Sequence, residues 1–250
     1  VNFSYYTNNL EDLQEINNVT RVYLEIPPTD SINFIVNFLK EAIETAYTKD
    51  YELIWKWPDI AHDDTVKSLN KVRGILNKMN YPIKIMSNDF KGEYGPYSMN
   101  IANTQSINSL ENYEMITISP ELRKKDYEDI IRNCNDNSRI ELLVQGCVEL
   151  MKTRYGFNKR LKNGELIDNR NNAYPIKANL SGEEWIIFNC QDISLIDEIQ
   201  YLNSIGYVNF SIDGRYRNKE YKNMINIYKD ALNGKNKNKE IFKESTRGNY

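Results

Sequence analysis

Short apolar segments recur along the whole chain, each five to seven residues long and rich in β-branched and aromatic side chains. This composition is typical of β-strands. The pattern predicts eight strands, at residues 2–6, 21–26, 51–57, 83–87, 97–101, 115–119, 141–145 and 208–212.

Between several of these segments, apolar residues recur at spacings of three and four, which predicts amphipathic helices. One such stretch runs from Ile32 to Ile43, with Asp30 and Ser31 as candidate N-caps. The other predicted helices cover residues 66–79, 122–132, 193–205 and 221–232. Strand–helix alternation predicts parallel strands joined by crossover helices. Eight repeats predict an α/β fold that closes into a (β/α)8 barrel of the TIM type.

Two departures from a regular barrel are predicted. Residues 88–96 form a loop, which leaves little room for a helix between strands four and five. A small β-rich insertion between strands seven and eight, at about 147–189, contains strand-like segments at 165–168, 173–177 and 185–188. An insertion there lies on the carboxyl-terminal face, where such barrels carry their sites. We expect a single barrel domain over residues 1–250, with a C-terminal tail at 234–250.

Composition and charge narrow the classes of function. Hydrophobic residues make up 40% and charged residues 27% of the chain, which favours a buried core over disorder. The formal net charge is −3, and the basic cluster Lys235, Lys237, Lys239 and Lys243 fits a solvated face, so direct nucleic-acid binding is not expected. No apolar run is long enough to span a membrane, and the first ten residues do not resemble a secretion signal. We therefore expect a cytoplasmic protein with no membrane association.

Metal and nucleophile motifs are absent from the sequence. Cys134, Cys147 and Cys190 have no CxxC spacing, and His62 is the one histidine. No HExxH, GxGxxG or P-loop is present. We expect no metal site and no cofactor.

Polar residues cluster instead where predicted strands end, and barrel sites are assembled there from several strands. The candidates are Glu25, Asp59, Asp89, Asn100, Asn103, Ser119, Glu121, Gln145, Glu149, Asp213 and Arg215. Together with Arg154, these carboxylates and arginines predict a charged pocket for an anionic or amide-bearing substrate. Trp55 and Trp57 alternate with Lys56, which predicts an aromatic core layer on one face of that strand.

The second half of the chain carries a series of short motifs in unbroken order. They are YSMN at 97–100, TISPEL at 117–122, ELLVQG at 141–146, ELMKTRY at 149–155, LIDNR at 166–170, IFNCQDI at 187–193, SIDGR at 211–215 and TRGNY at 246–250. This series resembles the peptidase U32 family. The resemblance implies a barrel fold and a protease or other hydrolase acting at the barrel mouth.

Some members of that family bind a [4Fe–4S] cluster and support hydroxylation of RNA or of cofactor precursors. The resemblance places Gly156 at a ligand cysteine, and neither Cys147 nor Cys190 matches a ligand position. Four thiolates hold such a cluster, and the chain has three cysteines. We therefore expect that the iron–sulfur ligands are lost.

Three hypotheses remain open at this stage. The first is a U32-type hydrolase of a peptide or other amide-bearing substrate. In it Asp213, Arg215 and Glu149 are catalytic, the two arginines Arg154 and Arg215 anchor the substrate, and a carboxylate is the base. Its further substrate-binding candidates are Asp168, Arg170, Asn100, Glu121 and Gln145. The second is a non-catalytic accessory subunit that pairs with a U32-family partner in RNA or cofactor hydroxylation, and the third is a barrel without chemistry.

Overall fold

Eight parallel strands close into a barrel in the computed structural model, which describes residues 1–26, 29, 31–89, 91–154, 164–178, 184–235, 245–248 and 250. The barrel strands are β1 (Asn2–Thr7), β2 (Arg21–Glu25), β3 (Glu52–Lys56), β4 (Lys84–Met86), β5 (Tyr94–Gly95), β6 (Met115–Thr117), β7 (Ile140–Gly146) and β13 (Asn209–Asp213). Strand β1 pairs with β2 and β13, and β7 pairs with β6 and β13, so the eight parallel strands form a closed ring. The predicted (β/α)8 closure is confirmed.

Helices cover the outside of this barrel. They are α1 (Leu10–Glu15), α2 (Ile32–Lys49), α3 (Asp63–Lys78), α4 (Thr104–Ser109), α5 (Lys124–Asn133), α6 (Ile199–Ser204) and α7 (Met224–Leu232). The side chain of Ser31 caps α2 by accepting the N–H of Phe34, as predicted, whereas Asp30 lies outside the described residues. No described helix has both the length and the apolar character that a membrane crossing requires.

Successive side chains of the barrel strands point alternately into the barrel and toward the helices, which gives an inner and an outer hydrophobic core. Side chains such as Tyr6, Tyr23 and Ile54 point inward and form one buried cluster in the barrel. Their neighbours point outward into the main core beneath the helices. Trp55 and Trp57 follow this rule, because both are buried in the outer core with ring centroids 5.5 Å apart, while Lys56 lies on the opposite face.

The fifth strand differs from the prediction. Strand β5 is Tyr94–Gly95, and residues 97–99 form a 3₁₀ turn that ends at Asn100 with a left-handed φ of 53°. Pro96 separates the two segments, and a proline cannot donate a backbone hydrogen bond to a strand ladder. The predicted strand at 97–101 was therefore wrong, and its residues belong to the loop above the barrel.

The insertion between β7 and β13 forms an antiparallel sheet, called the inserted sheet below. Its strands are β8 (Glu149–Thr153), β9 (Glu165–Ile167), β10 (Ala173–Ala178) and β11 (Trp185–Phe188), in the order β8-β11-β10-β9. The predicted β-rich insertion is confirmed, although β8 was not among its predicted strands. Phe188 of β11 packs edge-on against Tyr216, which follows β13, with centroids 5.7 Å apart. This contact seats the inserted sheet on the carboxyl-terminal mouth of the barrel.

The chain also returns to the barrel at its C-terminal end. After the inserted sheet, β12 (Ile193–Ser194) pairs antiparallel with β7, and Thr246 then forms a parallel bridge with Ile193. Tyr250 stacks near Tyr127 of α5, with ring centroids 5.7 Å apart. Part of the predicted tail thus packs against the barrel.

Candidate functional site

Charged side chains from three barrel strands and from the inserted sheet meet at the barrel mouth. We call this group the rim cluster, and its members are Glu25, Lys56, Asp59, Glu149, Lys152, Asp213 and Arg215. The carboxyl ends of parallel strands share one end of a barrel, which brings residues distant in sequence together. Four carboxylates and three cations leave the cluster one negative charge in excess.

Arg215 is the centre of the rim cluster. Its guanidinium donates to Asp213 at 2.6–3.2 Å, to Glu25 at 2.5 Å, and lies 2.9 Å from Glu149. Its side chain has no exposed surface. The charges of Asp213, Glu149 and Glu25 outweigh burial and raise the pKa of Arg215 well above its usual value. Arg215 therefore positions the carboxylates of the rim cluster.

Two lysines offset part of the remaining negative charge of the cluster. Lys152 of β8 lies 2.5 Å from Glu149 and also contacts Asp59. Lys56 of β3 lies 3.7 Å from Glu25 and 4.0 Å from Asp59. Because β8 belongs to the inserted sheet, the ion pairs of Glu149 and Lys152 tie that sheet to the barrel rim.

The local surroundings shift the pKa values of Glu25, Glu149 and Lys152 in different directions. Burial acts to raise the pKa of Glu25, but Arg215 and Lys56 outweigh it and hold that pKa at about 2. For Glu149, burial dominates over Arg215 and raises the pKa above its ordinary value. Burial, aided by Lys56, lowers the pKa of Lys152. The usual gap between the pKa values of a carboxyl group and an ammonium group is therefore smaller for Glu149 and Lys152.

A pocket of about 280 Å³ adjoins the rim cluster, and we call it the β8 groove. Its walls are Tyr97, Ser98 and Asn100 after β5, Ser119, Pro120 and Glu121 after β6, and residues 148–152. Glu149 and Lys152 belong both to this wall and to the rim cluster. The Tyr97 hydroxyl accepts the backbone N–H of Glu149 at 3.4 Å, which fixes the start of β8 at the groove.

Several predicted site residues meet at the groove and the cluster. Asp213, Arg215 and Glu149 converge as expected, and Asn100 and Glu121 line the groove wall. The roles assigned to these residues remain predictions.

The other predicted site residues lie apart from the rim cluster. Gln145 is buried, where it donates to the Tyr221 hydroxyl and accepts from Tyr228. Asp168 accepts backbone N–H groups in the turn between β9 and β10 and so holds that turn. Arg154 and Arg170 are exposed beyond β8 and in the same turn, respectively.

Lys56 and Lys152 were not among the sequence candidates. A signal existed for Lys56, since it stands opposite two core tryptophans at the end of a predicted strand. No comparable signal existed for Lys152, because its strand was not predicted.

A comparison with family models decides the classification. The model of peptidase family U32 matches residues 96–248, which is more than half of the chain. The chain belongs to peptidase family U32. The U32 match contains Glu149, Lys152, Asp213 and Arg215, whereas the rim partners from β2 and β3 precede it.

Comparisons with other proteins add little to the U32 assignment. No curated protein sequence matches the chain. Thiamine phosphate pyrophosphorylase from Pyrococcus furiosus aligns over 93% of this chain and 96% of its own, with 6% identity and a TM-score of 0.47. A chitinase from Chromobacterium violaceum aligns over 93% and 99%, with 9% identity and a TM-score of 0.33. These likenesses are too weak to bear on function, and the barrel assignment rests on the strand pairing itself.

The loss of the iron–sulfur ligands remains a prediction, and the surroundings of the cysteines bear on it. Cys134 ends α5 near Asn108, and the buried Cys147 thiol donates to the backbone carbonyl of Asn189 at 3.0 Å. With Cys190 these are the three cysteines of the sequence, one fewer than the four thiolates of such a cluster. Within the described part of the chain, no group of His, Cys, Asp and Glu is arranged to hold a metal ion.

Proposed function

We propose that this U32 family member hydrolyses a peptide or another amide-bearing substrate in the β8 groove, with Glu149 as general base. One observation carries the proposal: Glu149 is held in the buried rim cluster and also lines the groove. A carboxylate with a raised pKa, fixed beside a pocket, is a stronger base than a free carboxylate and suits proton transfer.

The proposed reaction uses the Glu149–Lys152 pair. Glu149 takes a proton from water as the water oxygen bonds to the amide carbonyl carbon. The carbon–nitrogen bond then breaks, and Lys152 donates a proton to the leaving amine. The two side chains lie 2.5 Å apart, so the proton on Glu149 can return to Lys152 and restore the starting state. Arg215 keeps Glu149 in place throughout.

Glu149→Gln tests this proposal. Glutamine keeps the shape but cannot accept the proton, so we expect kcat for cleavage of a random peptide pool to fall at least about 100-fold. The cleavage is followed by mass spectrometry. For the unaltered protein, kcat should rise with pH through the raised pKa of Glu149, so its acid limb lies above the ordinary value of 4.5.

The matched control is Glu165→Gln. Glu165 is an exposed carboxylate on β9, at the opposite edge of the same inserted sheet, and its loss should leave kcat unchanged. Cleavage that persists equally in Glu149→Gln and the unaltered protein would come from another protease and would contradict the proposal. If neither the unaltered protein nor the Glu149→Gln variant cleaves any peptide, the accessory-subunit hypothesis gains support. The exposed side chains of Leu150 and Met151 would then fit a surface that binds a partner protein.

A further inference from the structure

Strand β8 forms one edge of the inserted sheet. Within the described residues it pairs with β11 alone. The Val148 carbonyl, just before β8, accepts the N–H of Asn189 on the β11 side at 2.8 Å, whereas the Glu149 N–H points the other way, to Tyr97. The backbone thus directs groups alternately to β11 and to the groove, as an edge strand does.

The groove follows the backbone edge of β8 rather than one of its faces. Four consecutive residues, 149–152, line it. Successive side chains of a strand point to opposite faces, so a pocket on one face would be lined by alternate residues. The pairing between β8 and β11 is irregular between Glu149 and Met151, which could disturb the alternation of side chains there. Met151 and Lys152 come after this irregularity, and both of these consecutive residues still line the groove.

Beyond Glu149, whose N–H already donates to Tyr97, the described residues leave β8 without the usual protection of a free strand edge. Natural sheets shield such edges with outward charges, proline or covering loops. β8 has no proline, and the side chains of its two charged residues, Glu149 and Lys152, are only 3% and 12% exposed because they turn into the rim cluster. Leu150 and Met151, in contrast, are 50% and 57% exposed. Within the described part of the chain, the edge after Glu149 is thus open to a segment that offers backbone amides and apolar side chains.

We infer that β8 binds an extended peptide by strand addition, as a fifth strand of the inserted sheet; this binding mode rests on the proposed peptide hydrolysis. In strand addition, main-chain hydrogen bonds give affinity and flanking pockets select side chains. A peptide paired with β8 carries its amide groups past Glu149 and Lys152. The groove has a volume of about 280 Å³, and Tyr97 and Pro120 belong to its wall together with β8, so the site that we assign to the peptide is a narrow one.

Backbone N-methylation tests this binding mode. The probe is a fluorescein-labelled octapeptide, taken as the tightest binder from a randomised library, and binding to the Glu149→Gln variant is measured by anisotropy so that cleavage does not interfere. Each amide is methylated in turn. We expect affinity to fall at least about tenfold at alternate positions and to change little at the positions between, because every second N–H faces β8. The inference would be overturned if the losses of affinity did not alternate along the peptide, or if the library contained no binder.

Hydrogen exchange locates the bound peptide. Amides in residues 149–153 should exchange more slowly when the octapeptide binds, while those in β9, the opposite edge of the same sheet, serve as the control and should not change. Protection at β9 instead of β8 would also overturn the inference.

Failure of this inference is distinct from failure of the proposed function. If cleavage depends on Glu149 but N-methylation does not lower peptide affinity at alternate positions, strand addition is wrong and the hydrolase proposal stands. Alternate-position losses without cleavage by the unaltered protein remove the hydrolase proposal and leave β8 as a peptide-binding edge.

Discussion

Replacement of Arg215 by methionine should lower the free energy of unfolding by about 3–5 kcal/mol. The change leaves Asp213, Glu25 and Glu149 buried without their shared cation. Lys56 and Lys152 still contact Glu25 and Glu149 but do not replace the lost guanidinium charge, so the pKa values of these two buried carboxyl groups rise above those of the unfolded chain. Stability then falls as pH rises, and the loss should be larger at pH 8 than at pH 5. Urea unfolding at both pH values measures the effect.

The control for this change is Arg154→Met. Arg154 lies just beyond β8 and is exposed, so its replacement should change the unfolding free energy by less than about 0.5 kcal/mol. Equal effects of the two substitutions would mean that the ion pairs of Arg215 contribute nothing specific. Arg215→Lys should recover only part of the loss, because an ammonium group cannot serve three carboxylates with the geometry of a guanidinium.

Replacement of Gly146 by alanine should destabilise the protein by roughly 2–5 kcal/mol. Gly146 ends β7 with a φ of +138°, which L-residues with side chains rarely adopt. An added Cβ would also lie 2.7 Å from the Cβ of Asp213 and 2.9 Å from its carbonyl oxygen. The clash would move Asp213 away from Arg215, so the substitution disturbs both the backbone and the rim cluster.

Gly74→Ala is the matched control. Gly74 lies inside α3, and a Cβ there meets no atom within 4 Å. Alanine favours a helix over glycine by about 0.5–1 kcal/mol, so this variant should be slightly more stable than the unaltered protein. Thermal unfolding compares the two, and a Gly146→Ala protein as stable as Gly74→Ala would contradict the close packing between β7 and β13.

The barrel could be predicted from the sequence because its signal is local and repeated. Seven of the eight predicted strands match barrel strands, since each is a continuous apolar run between polar turns. The fifth failed because β5 has only two residues, Tyr94 and Gly95, and the more apolar run after Pro96 is a 3₁₀ turn. Strand β8 was missed for a different reason. Its inward residues are the charged Glu149 and Lys152, so its polarity pattern reflects the rim cluster and not a hydrophobic core.

The sequence predicts where the candidate site lies in the fold, but it does not predict what each charged side chain does there. Strand ends of a parallel barrel converge, which is why Glu149, Asp213 and Arg215 meet as expected. The sequence could not tell that Arg215 is fully enclosed, because that depends on how the inserted sheet sits over the barrel mouth. For the same reason Lys152 could not be recognised as the partner of Glu149.

A double-mutant cycle on Glu149 and Arg215 probes whether the barrel rim holds the inserted sheet and its candidate base in place. Unfolding free energies are measured for the unaltered protein, Glu149→Gln, Arg215→Met and the double variant. Because the two side chains lie 2.9 Å apart, we expect a coupling of about 1–3 kcal/mol, with Glu149→Gln costing little once Arg215 is gone. Additive effects, within about 0.5 kcal/mol, would mean that Arg215 does not hold Glu149 at the groove.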